Sequence, residues 1–169
     1  MESGVESWKQ ILAELIDGRG AVLKRYAFLL CGDDAQAEDL VQEALVRTLA
    51  RPLRGSRPGS AEAYVRVVIL NLFIDGTRQR SRWRRAALLL GPAEATPDSA
   101  DALAARDAML AALRALPPRQ RACVVLRYYE DLPPAAVAAA LGVAEGTVKR
   151  YLSEAMPLLA ARLSGADDR

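Results

Sequence analysis

The sequence predicts an all-α protein made of two small helical domains joined by a flexible linker. Three observations support this fold class. Hydrophobic residues form 51% of the 169 residues and aromatic residues only 5%, so the core must be built mainly from Ala, Leu and Val, a composition that favours helix. The apolar residues recur at helical spacing along most of the chain. Residues 91–100, rich in Pro, Ala and acidic side chains, interrupt that pattern and have the composition of a linker.

The N-terminal half is expected to hold four helices. A break at Gly18-Arg19-Gly20 separates the first two, and Asp33 or Asp34 is a good N-cap for the third. Two prolines and two glycines mark residues 51–59 as a loop, after which Ser60 caps a long fourth helix. The predicted helices cover residues 7–17, 21–30, 33–50 and 60–85.

The C-terminal half is expected to hold four more helices. Pro118 stands in the first turn of one of them, where proline is tolerated, and Gly142 lies where a turn needs a left-handed backbone. The predicted helices cover residues 102–116, 118–129, 134–141 and 145–163. The resulting division is a first domain at 1–86, a linker at 87–107, a second domain at 108–163 and a tail at 164–169.

Charge is distributed unevenly along the chain, whose overall net charge is only +2. Residues 1–50 carry a net −4, residues 51–85 a net +7, and residues 86–169 a net −1. Such asymmetry suggests two different partners, one of them polyanionic. No signal peptide or membrane-spanning run is evident, so we expect a cytoplasmic protein without membrane insertion.

Several kinds of site are made improbable by composition. The chain has no histidine, which removes imidazole-based catalysis and most zinc sites. Cys31 and Cys123 each lie in an apolar helical stretch and are read as small buried hydrophobic residues. We therefore expect no catalytic residue, no metal, no cofactor and no small-molecule substrate.

Residues 132–150 have the spacing of a helix-turn-helix. Val137, Leu141, Val143 and Val148 are spaced to close one small core around the turn at Gly142. In this motif the second helix enters the major groove of DNA and its first residues face the base edges. An ordinary helical hairpin with a solvated basic edge is the simpler alternative.

Two further segments strengthen the case and introduce a family. The stretch 116–132 followed by the helix-turn-helix resembles region 4 of the extracytoplasmic-function (ECF, group 4) sigma factors of the sigma-70 family. Residues 34–47 are similar to the core-binding helix of region 2, and residues 63–78 to regions 2.3 and 2.4. The resemblance implies a sigma factor that directs RNA polymerase core to specific promoters and helps to open the −10 region.

For region 2, the resemblance implies the following roles. Asp39, Gln42 and Glu43 share one helical face and would bind the β′ clamp helices of RNA polymerase core. Asn71 would line a pocket for a base flipped out of the −10 element, although a buried amide satisfied by backbone is the simpler interpretation. Tyr64 could stack on that base or belong to the core. Arg54 would stand at the rim of that pocket. The three other −10 candidates belong to an arginine cluster that would hold phosphates: Arg78, Arg80 and Arg82.

For region 4, the resemblance implies contacts with the −35 element and with the polymerase β flap. Arg127 and Thr147 would hold phosphates, and the candidates for reading base edges are Lys149, Arg150 and Ser153. Three departures from the family pattern make the −35 sequence uncertain: Ala144 lacks a capping side chain, Glu154 replaces a residue that is usually basic, and Pro157 should kink or end the helix.

Two other functions remain open on the sequence alone. A stand-alone helix-turn-helix regulator would bind its operator tightly without polymerase, but it leaves the stripe of Asp39, Gln42 and Glu43 unexplained. An enzyme acting on nucleic acid is disfavoured because the chain offers no Gly-rich phosphate loop and no carboxylate cluster. An anti-sigma protein is compatible with the sequence, which does not identify it.

Overall fold

The computed structural model describes the backbone of residues 2–51, 58–88 and 104–164, and every regular element in these ranges is helical, which confirms the all-α prediction. The helices are α1 (Glu2–Cys31), α2 (Asp34–Ala50), α3 (Pro58–Leu88), α4 (Ala104–Ala115), α5 (Pro118–Val124), α6 (Pro134–Leu141) and α7 (Glu145–Ser164). A π-helical turn, Val125–Tyr129, continues α5. Within the described ranges, no helix has the length and apolar character needed to cross a membrane. Residues 89–103 of the predicted linker and residues 165–169 of the predicted tail lie outside the described residues.

The helices α1, α2 and α3 pack together as a three-helix bundle. The bundle buries apolar side chains that recur along α1 and α3, namely Leu12, Leu23, Tyr26, Leu30, Ile69, Leu70 and Phe73. The indole N–H of Trp8 donates a hydrogen bond to the Thr48 carbonyl oxygen at 3.0 Å. This bond ties the first turns of α1 to the end of α2, so the exposed face of α2 is held on a rigid support.

The predicted break between two N-terminal helices is wrong, because α1 runs as one helix of 30 residues through Gly18 and Gly20. Each glycine costs a helix interior about 1 kcal/mol relative to alanine. Burial outweighs that cost, since Leu15 before the glycines and Leu23 after them are both buried against the bundle. Tertiary packing therefore outweighs the two glycines, which locally favour the end of a helix.

The turn from α1 to α2 follows the predicted capping chemistry. Gly32 has φ +78°, a left-handed conformation that favours glycine and ends α1. Asp33 is the N-cap of α2, and its carboxylate accepts a hydrogen bond from the backbone N–H of Gln36 at 2.7 Å. The start of α3 differs slightly from the prediction, since the helix begins at Pro58 and not at Ser60.

The C-terminal half contains the predicted helix-turn-helix. Gly142 adopts φ +62° and ψ +40° at the end of α6, and Val137 and Val148 are fully buried on either side of it. Of the two effects expected of Pro157, a kink or a helix end, the second does not occur, because α7 continues to Ser164. Ala155 and Leu159 flank the proline and are buried against α4 and α5, which holds the helix together across the missing hydrogen bond.

The two halves of the chain are in direct contact. One apolar cluster includes Leu30 and Phe73 of the three-helix bundle together with Val125 and Leu126 of the C-terminal half. An ion pair crosses the same contact, from Arg66 of α3 to Glu130 just after the π-helical turn. Both side chains are mostly buried, with exposures of 16% and 15%.

A second set of polar contacts closes the interface at the end of α1. Arg121 of α5 is only 9% exposed. Its guanidinium donates to the carbonyl oxygens of Leu30 at 2.9 Å and Arg114 at 2.8 Å, near the ends of α1 and α4. Arg114 in turn donates to the Gly32 carbonyl oxygen. One buried cation thus caps the carboxyl ends of two helices, where unsatisfied carbonyl groups favour positive charge.

Candidate nucleic-acid interface

The stripe predicted on α2 is exposed to solvent. Asp39, Gln42 and Glu43 all lie on the surface, and the Glu43 carboxylate accepts a hydrogen bond from Arg47 at 2.7 Å. The same face continues with two apolar side chains, Val46 at 60% and Leu49 at 44% exposure. Exposed apolar residues beside charged ones are typical of a protein-binding surface. Neither apolar residue was among the predicted site residues, although positions 39, 42, 46 and 49 follow helical spacing.

A groove of about 480 Å³ lies between the end of α2 and the start of α3, and it brings Tyr64 and Asn71 together. Asn71 is exposed, so the simpler interpretation of a buried amide is wrong. Tyr64 is half-buried; it packs against the core cluster, as one interpretation expects, and it also lines the groove, so its ring is available to a base. Arg54, the predicted rim residue, lies outside the described residues.

Arg47 and Arg51 line the same groove and were not among the predicted site residues. The other lining residues are apolar or neutral: Ala50, Tyr64, Val67, Val68 and Asn71. The part of the groove wall that the structure describes therefore combines two cations, an amide and an aromatic ring. These groups suit a nucleotide, because the cations can bind its phosphate and the ring and the amide can bind its base.

The arginine cluster at the end of α3 is solvent-exposed at Arg78, Arg80 and Arg82. With the Gln36 amide oriented so that its oxygen faces Arg80, that oxygen accepts two hydrogen bonds from the guanidinium at 2.8 and 3.0 Å. Arg80 is therefore also tied to the start of α2. The three side chains offer an exposed, positively charged surface suited to phosphates.

The predicted base-reading residues of α7 are also exposed. Lys149, Arg150 and Ser153 lie on the surface of α7. Lys149 pairs with Glu145 at 2.8 Å, and Arg150 lies 3.8 Å from a carboxylate oxygen of Glu154. These exposed pairs within one helix are weak, so a nucleic acid can displace them at little cost.

The two predicted phosphate contacts in this half have more shielded positions. Thr147 is half-buried in the first turn of α7. Arg127 is also half-buried; its guanidinium lies 5.5 Å from the centre of the Tyr128 ring and 3.5 Å from the Asp131 carboxylate. Glu154 has a partner in α5, because it accepts a hydrogen bond from Gln120 at 2.7 Å. That bond gives the unexpected acid a structural role between α5 and α7.

Both cysteines are free thiols, Cys123 buried and Cys31 half-buried. No group of three or more acidic or cysteine side chains suited to a metal occurs among the described residues. Cys123 is fully buried, and burial raises the pKa of its thiol to about 11. Burial also raises the pKa of the Cys31 thiol, which donates to the Asp33 carbonyl oxygen at 3.2 Å.

Comparison with protein families matches both halves of the chain. The model for sigma-70 region 2 matches residues 15–84, and the model for sigma-70 region 4 matches residues 106–158. The two matches cover the three-helix bundle and the helix-turn-helix half respectively. The chain therefore contains more than a lone helix-turn-helix, and we reject the alternative of a stand-alone helix-turn-helix regulator.

Similar proteins of known identity cover nearly the whole chain. The ECF RNA polymerase sigma factor SigL of Mycobacterium tuberculosis is 38% identical over 154 residues, which are 88% of this chain and 86% of that protein. The RNA polymerase sigma-E factor of Streptomyces avermitilis is 37% identical over 160 residues, covering 91% and 86%.

A solved structure agrees with these matches. The sigma factor RpoE of Bartonella quintana, crystallised in complex with the anti-sigma factor NepR, superposes with a TM-score of 0.67 and 26% identity. The superposition covers 92% of this chain and 98% of that one. Two family matches in the right order, together with relatives aligned over most of their length, lead to one conclusion: the chain belongs to the ECF sigma factors, which direct RNA polymerase to promoters.

Proposed function

We propose that this sigma factor docks on RNA polymerase core through α2 and captures an unpaired base of the −10 element in the groove between α2 and α3. The docking face would be the acidic stripe of Asp39, Gln42 and Glu43, extended by Val46 and Leu49. Its acids suit the basic surface expected of the β′ clamp helices, and its apolar residues supply burial.

The observation that carries the −10 role is the exposure of Asn71 beside Tyr64 in that groove. Flipping a base out of the duplex costs a few kcal/mol, which the protein must return by stacking and hydrogen bonds. Tyr64 offers a ring and Asn71 an amide for this purpose. Arg47 and Arg51 line the same groove and would hold the phosphate of the captured nucleotide, while Arg78, Arg80 and Arg82 would hold neighbouring phosphates.

The helix-turn-helix would read the −35 element as duplex DNA. Lys149, Arg150 and Ser153 face outward from α7 and are the candidates for base edges. Thr147 and Arg127 are the candidates for phosphates, and the same half would contact the β flap. Two weak DNA contacts then act together because the polymerase fixes their separation.

The contact between the two halves must break for this function. The −35 and −10 elements stand about 25 base pairs apart, which is roughly 85 Å along the duplex. Halves that share an apolar cluster and the Arg66–Glu130 ion pair do not span such a distance. The 15 residues between α3 and α4, 89–103, span at most roughly 50 Å when fully extended, so the helical halves themselves must cover the remaining distance. The closed arrangement is thus the form of the free chain, and the open one the form bound to polymerase.

An anti-sigma protein would be a further partner. A mainly apolar groove of about 610 Å³ lies between α1 and α4, lined by Phe28, Leu29, Met109 and Leu110. Lys24, Arg25 and Asp34 stand at the same groove, and Lys24 lies 3.9 Å from Asp34 and 3.5 Å from Glu38. The apolar face of an amphipathic segment of an inhibitor would fit there and hold the halves in the closed arrangement. The protein would act by binding alone, without catalysis, in the cytoplasm where the polymerase works.

Transcription from a randomised promoter library tests the proposal. The purified chain is added to sigma-free core polymerase, and the 5′ ends of the transcripts are sequenced. We expect starts that share −10 and −35 boxes and are lost with Asn71→Ala or Lys149→Ala. Gln79→Ala on α3 and Arg162→Ala on α7, both exposed, are the matched controls. Starts that persist in both test variants would refute the assigned sites, and starts without shared boxes would refute promoter reading.

A further inference from the structure

A positively charged cleft lies between the two halves, on the far side of α3 from the proposed base groove. Its volume is about 620 Å³, and three arginines line it, Arg80 from α3, Arg114 from α4 and Arg121 from α5. The remaining lining residues are neutral: Cys31, Gln36, Phe73, Thr77, Ser81, Leu116 and Pro118. Within the described part of the wall, no carboxylate balances the three cations.

The charge in this cleft is poorly compensated. Arg121 is 91% buried, and although its terminal nitrogens donate to carbonyl oxygens, its buried Nε–H has no acceptor among the described residues. Burial lowers the pKa of Arg121, and the positive charge of Arg114 acts in the same direction. A buried guanidinium beside a second, exposed one of the same sign favours the binding of an anion between them.

We propose that this cleft binds a small phosphate-bearing anion of the size and charge of pyrophosphate. Arginine matches the geometry of phosphate oxygens better than lysine does, and two of the three guanidinium groups, those of Arg80 and Arg114, are exposed. Ser81 and Gln36 can add neutral donors. Because the arginines come from both halves of the chain, the anion holds the closed arrangement together and opposes promoter binding.

The phosphate groups could come from two sources with the same chemistry. One is a free phosphorylated metabolite, and the other is the sugar-phosphate backbone of DNA. Arg80 belongs to the proposed −10 surface as well as to the cleft. An anion seated in the cleft therefore also occupies a residue that promoter DNA would use.

The first test titrates inorganic pyrophosphate into the full chain in a chloride buffer and follows thermal unfolding. We expect the midpoint to rise by roughly 5–10 °C at a hundredfold excess over the dissociation constant. Arg114→Gln should weaken the apparent affinity roughly tenfold. Arg162→Gln, an exposed arginine on α7 outside the cleft, should leave it unchanged. No rise in the unmodified chain, or equal rises in both variants, would overturn the proposal.

A second variant separates anion binding from damage to the fold. Ser81→Asp places a carboxylate at the exposed edge of the cleft, where it serves as a built-in anion. We expect this variant to unfold at a higher temperature without pyrophosphate and to lose the response to it. A variant that still responds like the unmodified chain would contradict the site.

Two further measurements identify the source and keep this inference separate from the proposed function. If a single-stranded oligonucleotide competes with pyrophosphate and its binding also depends on Arg114, the DNA backbone fills the cleft. If pyrophosphate alone depends on Arg114, the ligand is a free phosphorylated molecule; either result supports the site. Transcription by the reconstituted holoenzyme without pyrophosphate tests the proposed function only, because the anion site is measured on the free chain.

Discussion

Replacing Arg121 with methionine should destabilise the whole chain by about 2–4 kcal/mol. Hydrogen bonds from a charged donor contribute about 1.5–3 kcal/mol each. Arg121 makes two short ones, at 2.9 Å to Leu30 and 2.8 Å to Arg114, so about 3–6 kcal/mol is lost with the guanidinium. Methionine fills a similar space and removes a charge from a site that is 9% exposed, which returns part of that loss.

Denaturant unfolding with the control variant Arg119→Met measures this effect. Arg119 is on the same helix and only half-buried, so its replacement should change stability by less than about 0.5 kcal/mol. The Arg121 variant should also lose roughly 10 °C in its thermal midpoint. Small-angle scattering should show a larger radius, because the bond to Leu30 crosses between the halves. Equal stabilities for the two variants would show that Arg121 does not cap the helices in solution.

Three other perturbations test separate parts of the structure. Glu130→Gln should cost about 1–3 kcal/mol by removing one of the two carboxylates that pair with Arg66 at a mostly buried site, so that only Glu62 remains, whereas the exposed Glu14→Gln should cost almost nothing in the same urea titration. Cys123 should make stability fall between about pH 9 and 11 by about 1.4 kcal/mol per pH unit, since the unfolded thiol ionises near 9 and the folded one only near 11. Below pH 9 this contribution of Cys123 to the free energy of unfolding is fully present. Cys123→Val should flatten the profile between about pH 9 and 11, and an unchanged slope would contradict the assignment. Lys149→Gln should relax selectivity at one −35 base pair by about 1–3 kcal/mol in a competition assay with mismatched promoters, and an equal loss on every sequence would mark a phosphate contact instead.

The local features of the fold were readable from the sequence because short-range chemistry determines them. Gly142 has the left-handed backbone that the helix-turn-helix spacing requires, and Asp33 caps α2 with its own carboxylate. The exposed stripe at Asp39, Gln42 and Glu43 follows from helical spacing alone. Each of these depends on residues within a few positions of one another, so the sequence pattern contains the necessary information.

The features that escaped prediction depend on residues far apart in the chain. Arg66 was counted in the basic block at 51–85, yet Glu62 and Glu130 neutralise it, and Glu130 is 64 residues away. The contact between the halves depends on Arg121, which reaches carbonyl groups 91 residues earlier. Arg47 and Arg51 come to line the groove only when α2 and α3 pack together. No periodicity within a single helix reveals such pairings.

The distance in sequence between Arg121 and its first partner also sets an order of events during synthesis. Leu30 leaves the ribosome 91 residues before Arg121 can reach its carbonyl oxygen. At about 5–20 residues per second, that interval lasts roughly 5–18 s. The last residue of α3, Leu88, precedes Arg121 by 33 residues, so only in the final roughly 2–7 s of this interval are α1, α2 and α3 all made while the half that closes against them is still being synthesised. In the nascent chain, the bundle of α1, α2 and α3 is therefore exposed before the closed arrangement can form.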